Sequence, residues 1–224
     1  MNKKILKIIY FILIFIFLKL LFNIIFNNFI IKNYNKGKYL ENQSSILVNI
    51  NYFQKYIAYY NYGNILYKNG KYEKAIDEYK KALQKNIPQN KECKIRINYA
   101  LAICKTVNVD ESEKESIENA IKTYESAIDI LVENGCASKD NEGHSEIAEN
   151  LKKDIETEID RLKNLLKDLK KVTKKDENNK KENNSENIEE EIQNIKEEAI
   201  KQQRKKEEMY KKYDKTFKRK SKNW

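Results

Sequence analysis

The chain has 224 residues, of which 35% are charged and 40% hydrophobic, and a formal net charge of +10. That length admits one modest folded domain with appendages, not two full cores. Five Gly and one Pro leave few breaks between long helix-compatible runs, so the composition points to an all-α chain. Abundant Asn, Lys, Ile and Tyr are consistent with the codon bias of an AT-rich genome, and their number alone carries little functional meaning.

Chemistry is sparse. Three Cys and one His advertise neither a disulfide framework nor a standard zinc module. Cys93, Cys104, Cys136 and His144 are four potential ligands, but on one helix Cys93 and Cys104 would stand roughly 16 Å apart. Both cannot touch an ion whose ligands lie about 2 Å away. No Gly-rich phosphate loop, nucleophile elbow or His-x-x-x-His pair occurs. The carboxylates stand among lysines, as on solvated faces. The expectation is a protein that is not an enzyme and holds no metal or cofactor.

In chain order, the first element is apolar. Residues 1–32 contain ILKIIYFILIFIFLKLLFNIIFNNFII, and Ile5 to Phe26 has the roughly 20 apolar residues needed to cross a bilayer. Lys7 can snorkel to the near surface and Lys19 to the far one. A cleaved signal peptide would show a shorter apolar core and a small-x-small site, and neither is present, so an uncleaved membrane anchor is expected. Lys3, Lys4, Lys7 and the terminal amine face Lys32, Lys36 and Lys38 across the span. The amine tips the balance to an N-terminus inside and the rest of the chain extracytoplasmic. Free thiols, commoner in reducing compartments, argue the other way.

Residues 33–51 are polar and tyrosine-bearing, as in a spacer. From Tyr52 a helical period begins, runs to Lys68 and stops at Asn69-Gly70, where Gly can take the left-handed cap conformation. A second helix, from Tyr72 to about Lys85, ends ahead of Pro88, and the pair forms a helical hairpin. Gly63 on the first helix is expected opposite the Ala75 and Ala82 stripe on the second, with Tyr59, Leu66, Tyr72 and Tyr79 around them. With Tyr62, these residues resemble the signature of the tetratricopeptide repeat (TPR), a 34-residue helix-turn-helix unit, with Pro88 one residue late.

A second, altered repeat follows. Residues 97–103 (INYALAI) resemble another first helix with Ala100 at the small position, and Ala120, Ile121, Tyr124, Ala127 and Ile128 resemble its second helix. Between them the register is eight residues too long. Ser112 and Glu115 have capping-box spacing, so the surplus around Val107 to Glu115 is expected to be a lengthened turn. Gly135 is expected to close that helix. After a polar loop, Ile147, Leu151, Ile155, Ile159, Leu162, Leu166 and Leu169 recur at helical spacing. One long amphipathic helix is expected, capping the repeats or, alternatively, forming a coiled-coil dimer seam.

Residues 171–187 have little to bury and read as a disordered linker. Ile188, Ile192, Ile195, Ala199 and Ile200 give a narrow stripe, and residues 201–222 then carry eleven Lys or Arg against three Asp or Glu. With Tyr210, Tyr213, Phe217 and Trp224 interleaved, this tail reads as a solvated basic segment or as one that docks on anionic lipid or nucleic acid.

The expected architecture is therefore an anchor over 1–32, a spacer over 33–51, a TPR-like domain with a capping helix over 52–170, a linker over 171–187 and a charged helical tail over 188–224. The TPR resemblance implies a concave face, lined by first helices, that receives a protein or peptide. By register it would present Ile57, Tyr60, Asn64, Tyr67 and Lys68, then Lys94, Ile97, Asn98, Leu101 and Lys105. Asn64 and Asn98 match the two Asn positions of TPR clamps for a terminal carboxylate, but Tyr60 stands where such a clamp needs Lys and a third repeat is missing, so that clamp is not expected. The anchor, the one good and one degenerate repeat, residues 92–101 (ECKIRINYAL) and a Gln-containing tail ending in Trp224 also resemble the TPR component of bacterial aerotolerance-type (Bat) operons. That resemblance implies a non-enzymatic partner of a membrane protein with a von Willebrand factor A domain, in a system with a MoxR-type ATPase. The rival readings are a membrane-tethered coiled-coil homodimer and a lipid or nucleic-acid binder acting through its tail, with nucleic acid disfavoured if the tail is extracytoplasmic.

Overall fold

The computed structural model describes residues 3–51, 54–178, 197, 201–202 and 204–213, and every regular element among them is helical. In chain order these are α1 (Lys3–Asn35), α2 (Glu41–Ile50), α3 (Lys55–Lys68), α4 (Tyr72–Leu83), α5 (Gln89–Thr106), α6 (Lys114–Val132), a 3-10 turn (Glu133–Gly135) and α7 (Glu146–Asn178). A tail helix covers 204–213. Contacts divide the chain into two compact units, Met1–Ala102 and Ile103–Trp224.

In the first unit α1 is long and apolar enough to cross a membrane, and none of its apolar window is buried. At about 1.5 Å per residue it spans roughly 50 Å, against about 30 Å of hydrocarbon. Its outer turns are bare on all sides, from Ile5 through Phe17 to Ile25. Its last turns belong to the fold: Ile30 is buried with Leu47 of α2 and Ile65 of α3, and Phe26 and Tyr34 pack against that cluster. Asn23 Nδ2 donates to the Ile50 carbonyl (3.4 Å) and Asn61 Nδ2 to Asn27 Oδ1 (3.2 Å), so two polar residues interrupting the apolar run face protein.

The expected spacer is instead partly α2. Its ten residues carry too little periodicity to stand alone, but Leu47 gains a place between α1 and α3. Glu41 at its start accepts two hydrogen bonds from Lys71 Nζ, both 2.8 Å, and one from Asn69 Nδ2 at 3.3 Å. The Lys71 contact holds the Glu41 carboxyl below its ordinary range.

The α3–α4 hairpin forms as expected. Lys71 N–H donates to the Leu66 carbonyl (2.9 Å) and Gly70 N–H to the Tyr67 carbonyl (3.1 Å), with Gly70 at φ +75°. These are the two bonds of a Schellman cap. Ala75, Tyr79 and Ala82 are fully buried beneath Tyr56, Tyr60 and Leu66, with Ile95 of α5 in the same core. The residue for which Gly63 makes room is Tyr79: a Cβ at position 63 would lie 2.7 Å from Tyr79 Cε1, whereas Ala75 and Ala82 are not among its nearest neighbours.

In the second unit α6 buries Ile117, Ala120, Tyr124, Ala127 and Leu131, and α7, packed along it, buries Ala148, Leu151, Ile155, Ile159 and Leu162. The turn before α6 is lengthened as expected, but the capping box is not formed. Helix α6 begins after Glu113 with no side-chain cap, because Ser112 N–H (2.9 Å) and its hydroxyl (2.5 Å) both donate to Asp110 Oδ1. Asp110 N–H donates in turn to the Ser116 hydroxyl at 2.8 Å. A local Asx turn has outcompeted the cap. Asn134 (φ 57°) and Gly135 (φ 72°) turn the chain after α6. The following loop is tied by Glu149, whose carboxylate takes the N–H groups of Ser138 and Gly143, each at 2.7 Å. Burial raises the Glu149 pKa, but these two N–H groups and nearby Lys152 outweigh it and hold the group below its ordinary value.

Helix α7 continues through Asn178, where a linker was expected from residue 171. The rest of that linker, the stripe from Ile188 to Ile200, and Phe217 and Trp224 lie outside the described residues.

Candidate functional site

The residues expected to line a partner groove are placed as follows. Ile57, Tyr60, Asn64, Tyr67 and Lys68 follow one another on α3, and Lys94, Ile97, Asn98, Leu101 and Lys105 on α5. Tyr60, Ile97, Asn98 and Leu101 are buried, with exposures of 4%, 2%, 8% and 2%. Ile57, Asn64, Tyr67, Lys68, Lys94 and Lys105 are half-buried. The face expected to be open is thus closed at its centre.

Hydrogen bonding supplies the reason. Asn98 Nδ2 donates to Asn64 Oδ1 (2.7 Å) and to the Tyr60 hydroxyl (3.0 Å), and the Tyr79 hydroxyl donates to the same Asn64 oxygen (2.8 Å). Two asparagines at positions that grip a ligand's carboxylate in some repeats here bond to each other and to two tyrosines, leaving Asn98 Oδ1 buried without a partner among the described residues. The rings of Tyr60 and Tyr79 lie 6.0 Å apart. Burial pushes the Tyr60 phenol up to about 12 despite the asparagine hydrogen bonds, and raises Tyr79 further for the same reason. Neither phenol is an acid or base at neutral pH. A buried polar network of this kind fixes helix register, which is a structural task.

What remains accessible is the margin of this core. Ile57 and Tyr67 pack against its edge, the Tyr67 ring meets Tyr72 edge-on at 5.4 Å, and Lys68 Nζ stands 5.6 Å from the Tyr67 centroid. This is an aromatic and basic rim able to add contact area to a peptide at small entropic cost.

Lys105 belongs to the second unit, and its ammonium lies 3.6 Å from the ring centroid of Tyr210 on the tail helix. That tail departs most from the sequence expectation. Tyr210 and Tyr213 are 5% and 2% exposed; the Tyr210 hydroxyl donates to the Cys104 carbonyl (2.9 Å) and the Tyr213 hydroxyl to Asp154 Oδ2 (2.7 Å). Two tyrosines expected in a solvated basic tail, or in one that docks on lipid or nucleic acid, are core residues of the second unit. The sequence signal was present, since positions three apart share a helix face, but the surrounding lysines masked it. Cys104 is buried beside them, and burial pushes its thiol up to about 12, so it is chemically quiet at neutral pH.

No curated protein and no solved structure shows significant similarity to the chain. Residues 56–87 match the tetratricopeptide repeat family, over the hairpin of α3 and α4. On this match, and on the capped, small-to-large packed hairpin that it covers, residues 56–87 form one tetratricopeptide repeat in a chain whose described elements are all helical.

Proposed function

We propose that this protein is a membrane-anchored, non-enzymatic adaptor that uses the margin of its TPR hairpin to hold a protein partner. The observation that carries the reading is the continuity of α1. Its outer turns are bare apolar helix on every side, and its last turns are built into the core that supports α3. Burying about 20 such residues in lipid removes a surface that water would not tolerate. It also places the repeat directly at the bilayer surface, without a flexible tether.

The contact surface in this reading is Ile57, Tyr67, Lys68 and Lys94, the half-buried members of the expected groove in the first unit apart from Asn64. Asn64 and Asn98 act from beneath as positioning residues. A partner held there would be a protein of the same membrane, and the resemblance to aerotolerance-type operons names one with a von Willebrand factor A domain. The extracytoplasmic orientation follows from the charge balance of the flanks.

The test is site-specific photocrosslinking of the full chain in its native membrane. A crosslinker at Tyr67 is expected to capture a membrane protein bearing a von Willebrand factor A domain, and one at Asp77, on the exposed side of α4, is not. Equal capture at both positions, or release of the chain from membranes by alkaline carbonate, would overturn the reading.

A further inference from the structure

The second unit holds a cleft of about 290 Å³ between α6, α7 and the tail helix. Tyr124 comes from α6, Ile155, Glu158 and Arg161 from α7, and Lys206 and Met209 from the tail. Tyr124 is 1% exposed, yet its hydroxyl has no hydrogen-bond partner among the described residues. Buried hydroxyls are ordinarily paired, so one left over in the wall of a cavity points to something that the cavity receives.

Lys206 supplies the matching charge. It is half-buried, lies 5.2 Å from the Tyr124 ring centroid, and makes no ion pair among the described residues. Burial lowers its pKa, and the fields of Glu158 and Glu111 act in the opposite direction without outweighing it. The carboxylates of the cleft are already engaged. Glu158 accepts Arg161 Nε at 3.0 Å and Nη2 at 2.9 Å, and Arg161 also pairs with Glu111 at 2.9 Å. Asp154 Oδ2 accepts the Tyr213 hydroxyl at 2.7 Å and stands 3.5 Å from Lys212 Nζ. Among the described residues, a cation without a direct ion pair therefore stands over the ring whose hydroxyl is unused.

We infer that this cleft binds a small organic carboxylate, with the Tyr124 hydroxyl donating to it, the Lys206 ammonium balancing its charge, and Ile155 and Met209 receiving its apolar body. A monoanion fits better than phosphate because a second negative charge would need a second buried cation, and Lys205 at the cleft is exposed to solvent. The volume is near the roughly 300 Å³ lower end of ligand pockets, which suits a benzoate-sized molecule and excludes a folded peptide. This site is separate from the TPR margin and does not rest on the adaptor reading.

The test is calorimetric titration of the full chain in non-ionic detergent with benzoate, benzyl alcohol and inorganic phosphate, against empty micelles. Benzoate is expected to bind saturably, with the alcohol and phosphate at least about tenfold weaker. Tyr124→Phe removes one oxygen and leaves the packing intact; together with Lys206→Met it is expected to weaken benzoate about tenfold per substitution. Hydrogen exchange over residues 204–213 reports whether Lys206→Met unseats the tail, in which case Tyr124→Phe alone carries the test. Absence of saturable benzoate binding, equal binding of phosphate, or unchanged affinity in Tyr124→Phe would overturn the inference.

Discussion

Tyr79 on α4 and Tyr124 on α6 share one local pattern, each with Ala four residues before it and Ala three after. Both are buried, at 0% and 1% exposure. The hydroxyl of Tyr79 meets Asn64, which Asn98 also binds, and its ring fills the space that Gly63 leaves. The hydroxyl of Tyr124 meets nothing among the described residues, and the residue lines a cleft instead. Spacing alone decides that such a ring is buried. Whether its polar end is satisfied depends on what another helix brings to it, and that difference separates a purely structural tyrosine from one available for binding.

The comparison can be broken most forcefully by removing a ring. Tyr79→Ala should cost roughly 3–5 kcal/mol, as for other large aromatic truncations in a core. It should be read as faster hydrogen exchange across α3 and α4, and a cost below about 1 kcal/mol would show that the ring is not the centre of the hairpin. Gly63→Ala should be next, at roughly 1–3 kcal/mol, because the new Cβ would meet a ring held in place at its hydroxyl end. Ala100 on α5, at the place the sequence resemblance aligns with Gly63, is fully buried, so the substitution imports a residue that helix accepts. Unchanged exchange in Gly63→Ala would mean that α3 tolerates Ala at that place as α5 does at Ala100.

The finest distinction comes from oxygen atoms alone. Tyr79→Phe should cost about 1 kcal/mol, the net value of one hydrogen bond, with Asn64 still holding its bond from Asn98. Tyr124→Phe should be neutral to within about 0.5 kcal/mol, or stabilising, because it removes a hydroxyl that has no partner. Equal costs for the two, measured by exchange over α4 and over α6, would erase the contrast on which the inferred cleft stands.

Much of the fold was legible in the sequence because helical period and punctuation are local. Asn69-Gly70 marked the end of α3, Gly135 the turn after α6, and the spacing from Leu151 to Leu162 the buried stripe of α7. Helix α2 was not legible, since ten residues with four apolar ones owe their order to Ile30 and Ile65 on neighbouring helices. The groove was half legible. Family register put the right residues on one face of each helix but could not say that Asn98 would reach Tyr60, thirty-eight positions away, and close that face.

By itself, the amino-acid sequence determined the helical character of the chain, the α3–α4 hairpin with its small residues, and an apolar first helix long enough for a bilayer. Each follows from local rules: backbone propensity, the 3.6-residue period and the count of consecutive apolar side chains. Only the tertiary structure decided that Asn64 and Asn98 turn inward, that Tyr210 and Tyr213 belong to a core, and that Lys206 comes to rest over the Tyr124 ring with no ion pair among the described residues. Periodicity tells which face of a helix is apolar, but a hydrogen-bond partner can be as remote as Tyr210 is from Cys104, 106 positions along the chain, and only the packed fold chooses it.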